Sequence, residues 1–388
     1  MSDSNDVILS FVEETVFAQT PSGPPTLKDL RVLKDSLVED ITLVSSAELR
    51  PDRQVVDVLR TTFNSKGNID FELNFLGQSE FFQAGLMSDA GWDAQVQQIS
   101  ALISADSGDN KFTRSSGDFG PLGPVGSWVH VSGFSDPANN GFFKITDIPL
   151  AIRMDVAGSA LVTEGPTTVT LTRGRWIVNG RKFRSFSIER DYSDLATEFA
   201  VHRGMAVESF DLAVPLDGWL TGSIGFLGHS EISGSATVGD GSNTAATLNK
   251  PMDASLSGMA ILENIGVLDG VTGITLSVIN NLRKLTELGI EGVLQYKPGK
   301  IDVRGRLRMY FADSVLMNKY LGFIETSLTL ILSDENSKTL LIDIPRAILH
   351  NGTRVAEGIN TDLIADFTFS GFKHPTELIT IRIQEFDI

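Results

Sequence analysis

The sequence has no cysteine among its 388 residues, which excludes disulfide staples and thiolate metal sites and suits a reducing compartment. It has no long apolar run either: nothing approaches the roughly 18–20 residues that a spanning helix needs. The opening Met1-Ser2-Asp3-Ser4-Asn5-Asp6 carries no basic segment, so no signal peptide is expected. Basic residues are in the minority, 32 against 49 acidic, for a net charge of −17. That balance disfavours adhesion to nucleic acid through counterion release, but it suits a protein that encloses DNA and repels it.

Catalytic patterns are also missing. The five histidines, His130, His202, His229, His350 and His374, form neither H-x-x-x-H nor H-E-x-x-H spacing. Gly228-His229-Ser230 begins like a nucleophile elbow, but Ile232 stands where the second glycine is required. Gly222 to Gly228 does not spell a dinucleotide fingerprint, and Asp240-Gly241-Ser242-Asn243 lacks the later glutamate of a calcium loop. Glu189 and Asp191 flank Arg190, an arrangement that favours an ion pair over an acid/base dyad. No catalytic residue, metal site or cofactor is expected.

What the chain does have is β-forming material. It is 41% hydrophobic and 21% charged, with 36 glycines and only short helical patterns, as expected of a folded protein of two or three domains rather than a disordered one. Ile69, Phe71, Leu73 and Phe75 alternate with Asp70, Glu72 and Asn74, the period of a half-buried strand. Ser79 then offers an N-cap for a two-turn helix through Phe81 to Met87.

The same half-motif occurs twice. Ile41-Thr42-Leu43, followed by Leu49-Arg50, returns 233 positions later as Ile274-Thr275-Leu276, followed by Leu282-Arg283. Gly67-Asn68-Ile69-Asp70 returns 232 positions later as Gly299-Lys300-Ile301-Asp302. A second helix is expected within Asp313 to Leu321, where the first has its place. The organisation that follows is an N-terminal arm at 1–26, a first module at 27–90 and 181–228, and an inserted β domain at 91–180. A linker at 229–270 and a second module at 271–388 complete it. The fold class is mainly β, a β-sandwich with one short helix per module. Duplication without a catalytic constellation points to assembly rather than chemistry.

Several segments, taken in order, carry a resemblance. Ala47-Glu48-Leu49-Arg50-Pro51-Asp52-Arg53-Gln54 leads to the Gly-x-Ile strand and short helix, then to Phe186-Ser187-Ile188-Glu189-Arg190-Asp191-Tyr192 and Ser223-Ile224-Gly225-Phe226-Leu227-Gly228. Later come Tyr310-Phe311, Asp313, Leu316, Asn318-Lys319-Tyr320-Leu321 and Ile344-Pro345-Arg346. The set resembles the major tail tube proteins of long, non-contractile bacteriophage tails. The resemblance implies rings stacked into a tube that conducts double-stranded DNA without specific binding. It implies homotrimeric rings with a pseudo-six-fold outline, since each chain supplies two modules. It also implies partners (tape measure, tail terminator and tail-tip proteins), a place in the virion, and assembly in the bacterial host cytoplasm without membrane insertion.

Within that frame the charged strands are the candidate ring-interface or lumen residues. At the 232 offset, Asp70, Glu72, Asn74 and Leu76 correspond to Asp302, Arg304, Arg306 and Arg308, so an acidic strand matches a basic one. Pairing of these faces around a ring would favour alternation of the two modules. The insertion is expected outside the tube, where its deletion would narrow the outer diameter and leave the bore unchanged. A competing reading is a β-rich adhesin or carbohydrate binder, with Trp128, Phe134, Phe142 and Phe143 as sugar-stacking aromatics.

Overall fold

The computed structural model describes residues 3–158, 161–195, 197–255, 258–355, 358 and 361–388, leaving aside the side chains of 100, 101 and 355. The protein is mainly β, with two seven-residue α-helices among the described residues. In chain order the first part comprises β1 (Val7–Glu13), β2 (Lys28–Asp29), β3 (Lys34–Asp35), β4 (Val38–Ser45), β5 (Val58–Glu72) and α1 (Ser79–Gly85). A separate group follows: β6 (Val96–Asp106), β7 (Lys111–Arg114), β8 (Trp128–Ser132), β9 (Gly141–Leu150), β10 (Arg153–Val156) and β11 (Glu164–Arg173). The first part then resumes with β12 (Arg175–Val178), β13 (Phe186–Tyr192), β14 (Phe199–Val214), β15 (Thr221–Leu227) and β16 (Ser230–Gly234). The remainder holds β17 (Ala260–Glu263), β18 (Gly266–Val267), β19 (Val271–Ile279), β20 (Arg283–Leu285), β21 (Gln295–Lys297), β22 (Asp302–Tyr310) and α2 (Val315–Leu321). It closes with β23 (Thr326–Ser333), β24 (Thr339–Val355), β25 (Ile364–Gly371) and β26 (Arg382–Phe386).

The pairing order repeats. In the first half β1–β13–β14–β15–β5–β4 are neighbours, and in the second β17–β23–β24–β25–β22–β19. Both long central strands carry a register shift, at Val207/Ser209 in β14 and at His350/Thr353 in β24. Each helix packs on its own central strand: Gly85 of α1 lies against the Phe210 ring, and Tyr320 of α2 lies beside Gly352. The large and small partners are exchanged between the two repeats, which keeps helix and sheet at similar spacing.

Residues 7–13, in the stretch read from sequence as an arm, form a strand of this chain, with Leu9 and Phe11 in the core. The stretch read as linker supplies β16, paired with β14, and β17, which stands to β23 as β1 stands to β13. Ser79 is the first residue of α1 rather than its N-cap; Gln78 holds that position without a side-chain bond. The Ser79 hydroxyl is engaged elsewhere, donating to Glu385 at 2.7 Å.

Two sheet layers enclose the main core. Phe71, Phe210, Leu276, Leu307, Phe367 and Phe369 face it from one layer, and Leu330, Leu340, Ile342 and Ile383 from the other. Each such ring, fully buried, contributes about 1.5–3 kcal/mol. The alternate residues of the second layer face away from this core: Ile331, Leu341 and Phe386 pack on Trp128 of the inserted strands.

Strands β6 to β11 close on themselves as a six-stranded barrel filled by its own apolar residues, among them Phe112, Val131 and Met154. The barrel is fastened to the second repeat. Trp128 and Gln384 exchange two hydrogen bonds, Lys144 lies 2.8 Å from the buried Asp343 and 3.1 Å from Glu377, and Arg382 donates to the Gly126 carbonyl. Strand β12 pairs with β26, extending the second repeat's sheet. Trp128, Phe134 and Phe143 are buried and Phe142 packs on Phe386, so these aromatics offer no platform to a sugar.

Candidate functional site

The two repeats share one sheet because the end of β14 pairs with β19, from Ser209↔Ile279 to Val214↔Ile274. Strands β4, β5, β15, β14, β19, β22, β25 and the end of β24 thus run edge to edge. Period-two alternation gives this sheet one dry face and one wet face. Ile69, Ile224, Phe210, Leu276, Leu307 and Phe367 are buried on one side. Asp70, Ser223, Asp211, Thr275, Arg306 and Asp366 belong to the other.

Charge is graded across the wet face. The first repeat presents Asp70, Glu72 and Asp211, with Lys34 opposite Asp70 and a Lys66–Asp40 pair toward the edge; hydroxyls of Thr221, Ser223, Thr275 and Ser277 fill the middle, where a shallow groove of about 560 Å³ crosses the seam. Ser223 donates to Asp70 at 2.6 Å. The second repeat presents Arg304, Arg306 and Arg308. Arg306 Nε bonds both oxygens of Asp366, at 2.7 and 2.9 Å, and Arg308 lies 3.5 Å from the same carboxylate. The hydrogen bond to Asp366 raises the Arg306 guanidinium above its ordinary value. Arg304 lies 3.6 Å from Asp302.

Of the residues singled out from sequence, Asp70, Glu72, Asp302, Arg304, Arg306 and Arg308 all stand on this face. Asn74 does not: it is buried beyond the end of β5 and donates to the Glu72 carbonyl at 3.1 Å. Three strands separate β5 from β22, which sets them about 19 Å apart at ordinary strand spacing. Their charges therefore do not pair within the chain, and the arginines are paired locally, Arg306 and Arg308 sharing Asp366 and Arg304 with Asp302. Arg190, read as pairing with its flanking carboxylates, pairs instead with Asp35, while Glu189 accepts from Thr237 and Val238. Asp211 and Asp366 escaped the sequence reading because nothing local marks which strands will be neighbours.

The match to known families decides the wider assignment. The family model for phage tail tube proteins matches residues 4–371. The chain belongs to the phage tail tube protein family. No curated protein matches it. As a tail tube protein it is a structural component of the phage virion, and the family assembles with itself and with other tail proteins into a tube. The matched span includes the inserted barrel. Among the described residues, no helix of this tail tube protein is long and apolar enough to cross a membrane.

Proposed function

We propose that three copies of the chain close into a ring of six module positions, that rings stack into the tail tube, and that the wet sheet face lines the bore through which phage DNA passes. The observation that carries this reading is the seam between the repeats. Two equivalent modules already join edge to edge in one sheet through β14 and β19. Repetition of the same backbone step closes a cylinder, and a closed sheet leaves no edge exposed.

The wet face suits a conduit. Six carboxylates, Asp40, Asp70, Glu72, Asp211, Asp302 and Asp366, stand beside five cations, Lys34, Lys66, Arg304, Arg306 and Arg308, and Lys66 and the three arginines are themselves paired. Phosphates would meet a slight excess of carboxylates, cations mostly held by those carboxylates, and short hydroxyls, which limit adhesion during passage. The inserted barrel sits behind the second layer, on the far side of the core from the wet face, and belongs on the tube exterior. Tape measure, terminator and tip proteins are the expected partners at the tube's interior and ends.

Native mass spectrometry of dissociated rings tests the stoichiometry. A ring mass of three times 42.1 kDa is expected; a ring of six chains would refute the pseudo-six-fold arrangement.

A further inference from the structure

We propose that the hairpin edge β3–β4 of one copy adds to β24 of the next copy, in the register that β19 adopts on β14 within the chain, and that this joint closes the ring. The proposal rests on the tube reading above and specifies its contact.

The first observation is an open run of backbone. Along β14, strand β13 accompanies the start as far as Phe186↔Met205, and β19 accompanies the end. Along β24, strand β23 accompanies the start as far as Thr326↔Ala347. Beyond it Ile348–Val355 has β25 on one side and, among the described residues, no strand on the other. That open run is where the first repeat has β19. At the opposite end of the shared sheet, β3 and β4, the counterparts of β19, pair with β5 on one side and, among the described residues, with no strand on the other. Arg190 donates to the Leu37 carbonyl and Asp35 accepts from the Leu37 amide, so the free edge begins at Val38.

The ladders fix the register. Glu72 pairs with Thr221, which pairs with Ala213; Tyr310 pairs with Ile364, which pairs with Val355. With Glu72 set on Tyr310 and Ala213 on Val355, Ser277–Asp211 maps onto Val38–Thr353, and across the β24 bulge Ile279–Ser209 maps onto Asp40–His350.

The second observation identifies the occupant as another copy. Within the chain β19 leaves the joint at Asn280, whose Nδ2 donates at 2.9 Å to the carbonyls of Gly85, at the end of α1, and of Val207. The corresponding end of α2 is apolar and bare: Leu321, Phe323 and Ile324 are 69%, 73% and 51% exposed. On the hairpin the place of Asn280 falls to Ile41, with Leu43 two residues on, and both are exposed at 48% and 62%. Where one joint has an amide facing two carbonyls, the other has aliphatic side chains facing an apolar helix end. Apolar surface bare on both parties and brought together by one backbone register is the mark of a self-interface.

The absence of cysteine makes the test clean. Directly opposed residues on antiparallel strands lie within reach of a disulfide. A variant carrying V38C with T353C, oxidised after assembly, is expected to run as covalent dimers and trimers without reductant. The D211C/S277C pair should form an intrachain bond and serves as the control for strand geometry. Mixing V38C chains with T353C chains should give dimers and nothing larger. Tubes visible by electron microscopy with no interchain cross-link would overturn this joint and leave the tube reading standing. An unmodified chain that stays monomeric at every concentration would overturn both. As an independent variant, Phe323→Asp should leave the melting temperature of the monomer unchanged and reduce assembly at least tenfold; unimpaired assembly would count against the joint.

Discussion

Phe369 on β25 lies opposite Gly305 on β22, and Phe226 on β15 lies opposite Gly67 on β5. A Cβ at Gly305 would run into the Thr275 carbonyl and the Phe369 ring, and one at Gly67 into the Ser36 carbonyl. Ser36 and Thr275 hold matching places on the adjoining strands, so each repeat builds the same close approach from an aromatic, a glycine and a carbonyl. Gly305→Ala should cost about 1–3 kcal/mol, the usual penalty of forced overpacking. Gly165→Ala, with open space around its Cβ, should be near neutral. Denaturant unfolding of the two variants checks the contrast.

The glycine pairs also show what the sequence could and could not convey. The duplication and the strand-helix-strand order were legible, yet the ladders align Asp70 with Arg308 and Leu37 with Leu276, six residues along from the alignment that Ile-Thr-Leu and Gly-x-Ile-Asp suggest. Strand side chains alternate with a period of two, so a slip by any even number preserves which residues face the core. Only the cross-strand partners fix the true alignment. The wet face was legible as alternation in Asp70 and Arg306, but Asp211, Asp366 and the seam depend on strand neighbours far apart in sequence. Strands β1 and β17 went unread for the same reason: each is held by a partner far along the chain.

His202 is fully buried, its Nδ1 2.8 Å from the Ser65 hydroxyl. Burial, reinforced by the nearby Arg190 charge, lowers its pKa from 6.5 to about 4. The folded state therefore resists protonation. The stability this group contributes is complete above pH 6.5 and is lost as pH falls from 6.5 towards 4, by roughly 3 kcal/mol in all. His202→Gln should flatten the unfolding free energy over that window. An unchanged slope in a pH series of urea melts would reject the assignment.

The barrel acts as a fastening of the second repeat as well as an external domain. Lys144→Met leaves the Asp343 carboxylate buried with only the Thr329 hydroxyl, and should cost about 3–5 kcal/mol. Deletion of 91–180 would also remove β12 from β26 and uncover Leu262, Ile331, Leu341 and Phe386. The shortened chain is expected to aggregate rather than form narrower tubes. Its solubility after expression is the check.

Reversing the charge of the wall should convert repulsion into adhesion. Tubes of the native chain are expected to leave DNA unretarded in a gel. Tubes carrying Asp70→Lys, Glu72→Lys and Asp211→Lys should bind it at about 50 mM salt and release it by about 200 mM. Binding that does not respond to salt would argue against a phosphate contact.

A cryo-electron microscopy reconstruction of assembled tubes tests the central claim most directly. The account predicts hollow tubes of three-chain rings, with Asp70, Asp211 and Arg306 on the bore and the barrel of β6 to β11 outside. A reconstruction with those side chains on the outer wall, or with the barrel filling the bore, would contradict it.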